Sequence, residues 1–120
     1  MIKFFDICKQ DKKIHKHLLN DIAKLLKQGD FILGKSVSRF EKNFAKFCGS
    51  KYAISCANGT DALTIALKSL NLPNNSEVII PAMTYCSTAF SVINANLKPV
   101  LIDLSKLKPT IDVNLIKKKI

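Results

Sequence analysis

The sequence is poor in several residue types that mark common protein classes. It has no tryptophan, four glycines and four prolines, and Arg39 is the only arginine among 19 basic residues. Nucleic-acid-binding proteins usually concentrate their positive charge and use arginine for base and phosphate contacts. The dispersed lysines, which give a net charge of +10, therefore favour a solvated surface, and no nucleic-acid partner is expected.

Long apolar runs and metal-binding motifs are also missing. No apolar run is long enough to cross a bilayer, and the N-terminus lacks the apolar segment of a signal peptide. We therefore expect a cytoplasmic protein with no membrane partner. His15 and His17 are two positions apart in a helical pattern and so face different directions. No metal site or disulfide framework is expected, because no C-x-x-C pair occurs among Cys8, Cys48, Cys56 and Cys86.

The first half of the sequence has the apolar spacing of two amphipathic helices. Apolar residues recur at helical intervals over 14–26, and Gly29 is expected to end the first helix. A second apolar face covers 37–47 and is expected to end at Gly49. Residues 38–41 form an S-x-x-E pattern, which is typical of a helix N-terminal cap.

The second half changes to short strands that alternate with helices. Apolar runs at 52–57, 78–80 and 100–103 are predicted to be strands, the first of them buried. Asp112 is predicted to cap a last helix over 113–120. This alternation predicts βαβ units, and therefore an α/β fold with a mostly parallel sheet covered by helices on both faces.

The tetrapeptide from Asn58 to Asp61 is the first candidate for a binding site. It follows a predicted strand and opens a helix, so its backbone N–H groups should point into the crevice at the strand's carboxyl end. Gly59 has no Cβ to block an anion, and the Thr60 hydroxyl is a further donor. Only the backbone N–H of Asp61 could face an anion, because like charges repel. The tetrapeptide alone leaves open the alternative that Asn58 simply caps an ordinary helix.

The loop at 83–88 is the second candidate, because it also follows a strand at the edge where ligands of α/β proteins bind. Tyr85 could stack on a flat cofactor ring there, or it could be a core aromatic residue. No histidine is apparent near Cys86, so a catalytic cysteine is not expected. G-x-G-x-x-G and P-loop motifs are both absent, which argues against these two nucleotide-binding motifs.

Taken together, these segments resemble the DegT/DnrJ/StrS sugar aminotransferases, which have the aspartate-aminotransferase fold. The resemblance covers the whole chain and rests on short motifs in the family's order. Its departures are mild: Asn74-Asn75-Ser76 and Asn96-Leu97 replace glycine-containing turns. The motifs are Phe31-Ile32-Leu33-Gly34, Phe40-Glu41 with Phe44-Ala45, Lys51-Tyr52-Ala53-Ile54, Asn58-Gly59-Thr60-Asp61-Ala62-Leu63, Glu77-Val78-Ile79-Ile80-Pro81, Thr84-Tyr85, Lys98-Pro99-Val100 with Asp103, and Ile111-Asp112.

The resemblance implies a transaminase that depends on pyridoxal 5'-phosphate (PLP). Gly59, Thr60 and Asp61 would hold the PLP phosphate, mainly through backbone N–H groups and the Thr60 hydroxyl. Tyr85 would stack on the pyridine ring, and Gly34 would lie near the substrate entrance. The enzyme would move an amino group from an amino acid, usually glutamate, to a keto-sugar nucleotide for amino-sugar or surface-polysaccharide biosynthesis.

The resemblance also implies an architecture. Residues 1–35 would form a helical arm and glycine link, and 36–120 the N-terminal portion of a three-layer α/β/α large domain in a homodimer. The family's sheet order, 3-2-4-5-6-7-1, separates strand 52–57 from the next two strands by strands that this sequence does not contain. We therefore expect its backbone donors to lack partners and the 120 residues alone to be marginally stable.

In this family a lysine well downstream of the matched segment forms a Schiff base with PLP. No lysine here occupies that position, so no catalytic residue is assigned and residues 1–120 alone are expected to be inactive. Relatives with histidine in place of that lysine are dehydratases, which is one alternative. A small phosphate- or nucleotide-binding α/β module is another, and a basic nucleic-acid-binding protein is a third.

Overall fold

The computed structural model describes Phe4, residues 12–106 and residues 108–119. Its contacts group the chain into two compact units, Met1–Ser55 and Cys56–Ile120. Cys8 and Ile120 lie outside the described residues. In chain order the elements are α1 (Lys12–Gln28), α2 (Lys35–Cys48), α3 (Gly59–Ser69), β1 (Glu77–Pro81), α4 (Ser87–Asn94), β2 (Lys98–Ile102) and α5 (Val113–Ile116).

The two helices of the first unit lie where the apolar spacing predicts them. Gly29 follows α1 with a φ of 66°, and Gly49 follows α2 with the same φ, so both adopt the left-handed conformation expected at a helix end. The N–H of Ser50 then donates to the carbonyl of Ala45 at 2.9 Å, which satisfies one of the last carbonyls of α2. Both predicted helix ends are confirmed.

The predicted N-terminal cap of α2 is wrong. The helix begins at Lys35, so Ser38 already lies inside its first turn, and its hydroxyl donates to the Gly34 carbonyl at 3.4 Å. Asp30 takes the capping role instead, because its Oδ2 accepts the N–H of Lys35 at 2.9 Å. Glu41 accepts hydrogen bonds from Ser55 and not from the helix start.

The segment predicted to be a buried strand, 52–57, forms no strand. Tyr52 and Ile54 are 71% and 82% exposed. A strand needs a neighbouring strand to satisfy its backbone groups, and the sheet formed by the described residues contains only β1 and β2. The expectation that its backbone donors lack partners is wrong at Ser55, whose N–H donates to the Glu41 carboxylate at 2.8 Å. The predicted burial of the segment is also wrong.

The second unit has a small parallel sheet against which α4 packs, and α3 packs against α4. β1 pairs with β2 in parallel, from Glu77 opposite Lys98 to Pro81 opposite Ile102, and α4 connects the two strands. Ile80 of β1 packs with Val92 of α4 and with Leu97 in the turn before β2 to form a small core. This arrangement confirms the predicted α/β class for the described part of the chain.

The last helix is shorter than predicted. The Asp112 side chain caps it as expected, since its Oδ1 accepts the N–H of Asn114 at 2.9 Å. The helix itself ends at Ile116, and residues 117–119 continue as turns, so the predicted extent of 113–120 is wrong. Among the described residues, no helix has the length and apolar character needed to cross a membrane.

Candidate functional site

Asn58 forms a complete cap on α3. Its backbone is extended, with a φ of −162°, and its Oδ1 accepts the N–H of Asp61 at 2.9 Å. Its side-chain Nδ2 donates to Oδ2 of Asp61 at 3.0 Å, and its carbonyl accepts the N–H of Ala62 at 3.0 Å. The capping interpretation of Asn58 is therefore confirmed, and the Asp61 carboxylate bonds back to the Asn58 side chain.

This cap determines which amides remain available at the helix start. The N–H of Asp61 is already bonded to Asn58. Within the part of the chain that the structure describes, the N–H groups of Gly59 and Thr60 have no acceptor. Two adjacent donors at the positive end of a helix dipole are suited to binding an anion, and phosphate in particular.

Gly59 leaves space above these two donors. Among the described residues, no heavy atom lies within 4 Å of a Cβ added at this position, and the φ of Gly59 lies outside the left-handed region. The fold therefore does not require glycine here for either steric or conformational reasons. The missing side chain leaves room for close approach to the backbone at this position.

Thr60 and Ser91 connect the starts of two helices. The Thr60 carbonyl accepts the Ser91 hydroxyl at 3.2 Å, and the same hydroxyl contacts the Ser87 carbonyl at 2.7 Å. Because one hydroxyl reaches both carbonyls, the first turn of α3 lies beside the first turn of α4. The Thr60 hydroxyl has no hydrogen-bond partner among residues 12–106 and 108–119, so it can donate to a ligand.

Tyr85 lies two residues before α4 and is 78% exposed. Its carbonyl accepts the N–H of Thr88 at 3.0 Å, and the hydroxyls of Thr84 and Thr88 are 3.0 Å apart, which fixes this loop on the helix start. The interpretation of Tyr85 as a core aromatic residue is wrong because of its exposure. The Ser91 contacts place the start of α4, which directly follows the Tyr85 loop, beside the first turn of α3.

Gly34 belongs to the other unit. It is buried immediately before α2, and a Cβ there would overlap the Asp30 carboxylate that caps the helix. The structure thus gives Gly34 a packing role beside Asp30.

Ser91 was not identified from the sequence. It is 1% exposed, and the only signal for it was a serine four residues after Ser87 in a helical pattern. Such a serine usually bonds to the preceding turn of its own helix. Its additional contact with Thr60, 31 positions away, depends on the packing of α3 against α4.

Comparison with known proteins identifies the family. The DegT/DnrJ/EryC1/StrS aminotransferase family matches residues 12–120. The chain belongs to this family. It is 40% identical, over 97% of its length, to UDP-2-acetamido-2-deoxy-3-oxo-D-glucuronate aminotransferase of Pseudomonas aeruginosa, and it covers 32% of that relative. This chain therefore spans about a third of the length of such family members.

Several solved structures share the fold of this chain. DesV of Streptomyces venezuelae superposes with a TM-score of 0.91 at 30% identity, over 99% of this chain and 32% of DesV. An aminotransferase of the same family from Brucella abortus gives 0.87 at 31% identity, over 98% of this chain and 31% of that one. The NtdA protein of Bacillus subtilis, solved with bound cofactor PMP, gives 0.86 at 29% identity, over 92% and 25%. The fold is thus a partial aminotransferase α/β fold.

Proposed function

We propose that the protein is a PLP-dependent aminotransferase that acts on a nucleotide sugar. The observation that supports this most directly is the start of α3, where two amides and the Thr60 hydroxyl are available beside an open glycine. The family match adds the reaction class, and the relatives' names add the kind of substrate. Amino-sugar or surface-polysaccharide biosynthesis is the corresponding pathway, as in the spore coat polysaccharide protein of Bacillus subtilis.

The residues at this site fit PLP. We propose that the N–H groups of Gly59 and Thr60 and the Thr60 hydroxyl bind the phosphate, and that Tyr85 covers the ring. Asp61 contributes indirectly, because it holds Asn58 in its capping position and its own N–H is used there. When bound, PLP supplies the electron-withdrawing ring that such amino transfers require.

We propose glutamate as the amino donor, a keto-sugar nucleotide as the acceptor and a homodimer as the assembly. The division into a 1–35 arm and a 36–120 large-domain portion stays a prediction. Residues 1–120 alone are proposed to bind the cofactor without completing the transfer, because none of their lysines matches the Schiff-base position. Formation of 2-oxoglutarate from glutamate and a keto-sugar nucleotide by these residues alone would contradict this.

The phosphate site is tested with pyridoxamine phosphate (PMP), the amine form of the cofactor. PMP has no aldehyde and cannot form imines with the many surface lysines, so its binding is measured without that side reaction. We expect the purified protein to bind PMP more tightly than pyridoxamine, which lacks the phosphate. Thr60→Ala should weaken PMP binding roughly tenfold, the effect of one hydrogen bond to a charged group, as measured by calorimetric titration.

Thr64→Ala is the matched control. Thr64 is one turn further along α3, and its hydroxyl donates to the Thr60 carbonyl at 3.0 Å without reaching the helix start. PMP affinity should therefore stay near the wild-type value in this variant. Equal affinities for PMP and pyridoxamine, or equal losses in the two threonine variants, would rule out the proposed phosphate site.

A further inference from the structure

Ser91 of α4 is the only polar side chain that is buried among the described residues. It is 1% exposed and lies next to Val92 of the core, which is 2% exposed. Burial removes a hydroxyl from water, and its hydrogen bonds must offset that cost. Alanine would fill this helical position without the cost and has the higher helix propensity. The helix itself therefore does not require serine at position 91.

The hydroxyl of Ser91 lies between two backbone acceptors on different helices. It is 2.7 Å from the Ser87 carbonyl of its own helix and 3.2 Å from the Thr60 carbonyl in the first turn of α3. A serine has a single hydroxyl hydrogen, which these two carbonyls share. The bond to Ser87 is local to α4, whereas the bond to Thr60 joins α4 to α3.

Within the described part of the chain, this contact is the one hydrogen bond between α3 and α4. The packing of the two helices is otherwise apolar, as at Leu67 of α3, which packs against the core that contains Val92. Apolar packing depends on buried area and has no preferred direction, so it tolerates small sliding movements. A hydrogen bond restricts both distance and angle. The Ser91 hydroxyl therefore fixes where the first turn of α4 lies along the first turn of α3.

The Thr60 carbonyl belongs to the turn that carries the proposed phosphate site. Its peptide group continues into the N–H of Asp61, which donates to Oδ1 of Asn58 at 2.9 Å. The Thr64 hydroxyl also donates to the Thr60 carbonyl, at 3.0 Å, so this carbonyl keeps a donor when Ser91 is changed. Removal of the Ser91 hydroxyl should therefore leave the turn folded and release only its link to α4.

We propose that Ser91 is a positioning residue for the cofactor, an inference that rests on the proposed function. The phosphate and the ring of PLP are joined by a short linker, so one molecule can reach both contacts only at one spacing. The phosphate binds at the start of α3, and the ring binds at Tyr85, two residues before α4. The Ser91 hydroxyl holds the two helix starts at that spacing. The chain alone does not fix it, because Thr60 and Ser91 are 31 positions apart.

The experiment compares two ligands in Ser91→Ala by NMR titration of the purified protein. PMP carries both the phosphate and the ring, whereas inorganic phosphate carries the anion alone. PMP affinity should fall roughly fivefold, as for the loss of one hydrogen bond, and phosphate affinity should stay at the wild-type value. An equal loss for both ligands would show damage to the phosphate turn itself and would overturn the inference.

Ser69→Ala is the matched control. The Ser69 hydroxyl is exposed and donates to the Ala66 carbonyl within α3 at 2.7 Å, so its loss should leave PMP affinity unchanged. Ser91→Cys keeps nearly the same volume with a much weaker donor and should lose as much PMP affinity as Ser91→Ala. A loss in Ser91→Ala that Ser91→Cys does not share would assign the effect to side-chain volume and overturn the role of the hydroxyl.

A double variant separates positioning from a general structural role. Tyr85→Ala removes the ring contact, so adding Ser91→Ala to it should cause no further loss of PMP affinity. Losses that add would overturn the inference, because additive losses mark independent effects. If the wild-type protein binds PMP no more tightly than pyridoxamine, the proposed function fails. If it prefers PMP and Ser91→Ala binds PMP equally well, only the role of Ser91 fails.

Discussion

At Gly59, neither the backbone conformation nor the surrounding residues require glycine, so a role in ligand binding can be tested without a loss of stability. Its φ is one that any residue can adopt, and none of the described residues occupies the space where a Cβ would lie. Gly29 also has open space around it, but its φ of 66° favours glycine. The two glycines therefore serve different purposes: Gly29 ends a helix, whereas Gly59 is required only if a ligand approaches the backbone.

Alanine substitutions at these two glycines should have opposite effects. Gly59→Ala should leave stability unchanged or raise it by up to about 1 kcal/mol, because alanine is the better helix former, and should weaken PMP binding. Gly29→Ala should cost roughly 1–2 kcal/mol through its left-handed backbone and leave PMP affinity unchanged. Urea denaturation and PMP titration measure the two effects. Loss of stability in Gly59→Ala, with unchanged PMP affinity, would contradict the proposed role of this residue.

At the scale of elements, α2 and the segment after it show what the sequence pattern could predict. Apolar periodicity located the body of α2 and its end at Gly49, but not its start. The first turn contributes little to the apolar face, so the pattern begins only at Val37. The run at 52–57 has strand-like composition, yet composition cannot supply the neighbouring strand that such a segment needs.

The carboxylate of Glu41 links α2 to the 52–57 segment through Ser55, and the pKa of Glu41 tests this contact. The backbone N–H and then the hydroxyl of Ser55 lower the pKa of Glu41 by hydrogen bonding to its carboxylate. Because the pKa is lower in the folded state, the stabilisation is present above the ordinary pKa of glutamate and is lost as the pH falls through the lowered value. Ser55→Ala should raise the pKa of Glu41 only part of the way to the ordinary value of glutamate, because the backbone N–H of residue 55 still donates to the carboxylate.

Carboxyl-carbon NMR across a pH titration measures this change. Ser38→Ala serves as its control, because the Ser38 hydroxyl bonds to Gly34 and does not contact Glu41. The Glu41 pKa should be the same in that variant as in the wild-type protein. An unchanged Glu41 pKa in Ser55→Ala would show that the hydroxyl bond is absent in solution.

For the whole molecule, the family's motif order predicted more than the local patterns did. The sequence of each candidate loop alone also allowed a purely structural role. Asn58 could simply cap a helix, and Tyr85 could be a core aromatic residue. The structure joins the first turns of α3 and α4 through Ser91, which one sequence pattern could not reveal because the contact with Thr60 spans 31 positions. Among the described residues, the cap at Asn58 uses the Asp61 amide and leaves those of Gly59 and Thr60 without an acceptor, so the cap does not exclude the proposed phosphate site.

The most direct test is a ¹H–¹⁵N NMR titration of the protein with PMP. We expect the largest amide shifts at Gly59 and Thr60 and a much smaller shift at Asp61, whose N–H is already bonded to Asn58. The amide signal of Tyr85 should also shift, because the ring of PMP would lie close to this residue. Saturable binding that leaves the Gly59 and Thr60 amides unshifted, or that shifts them without affecting Tyr85, would contradict a cofactor site built from the starts of α3 and α4.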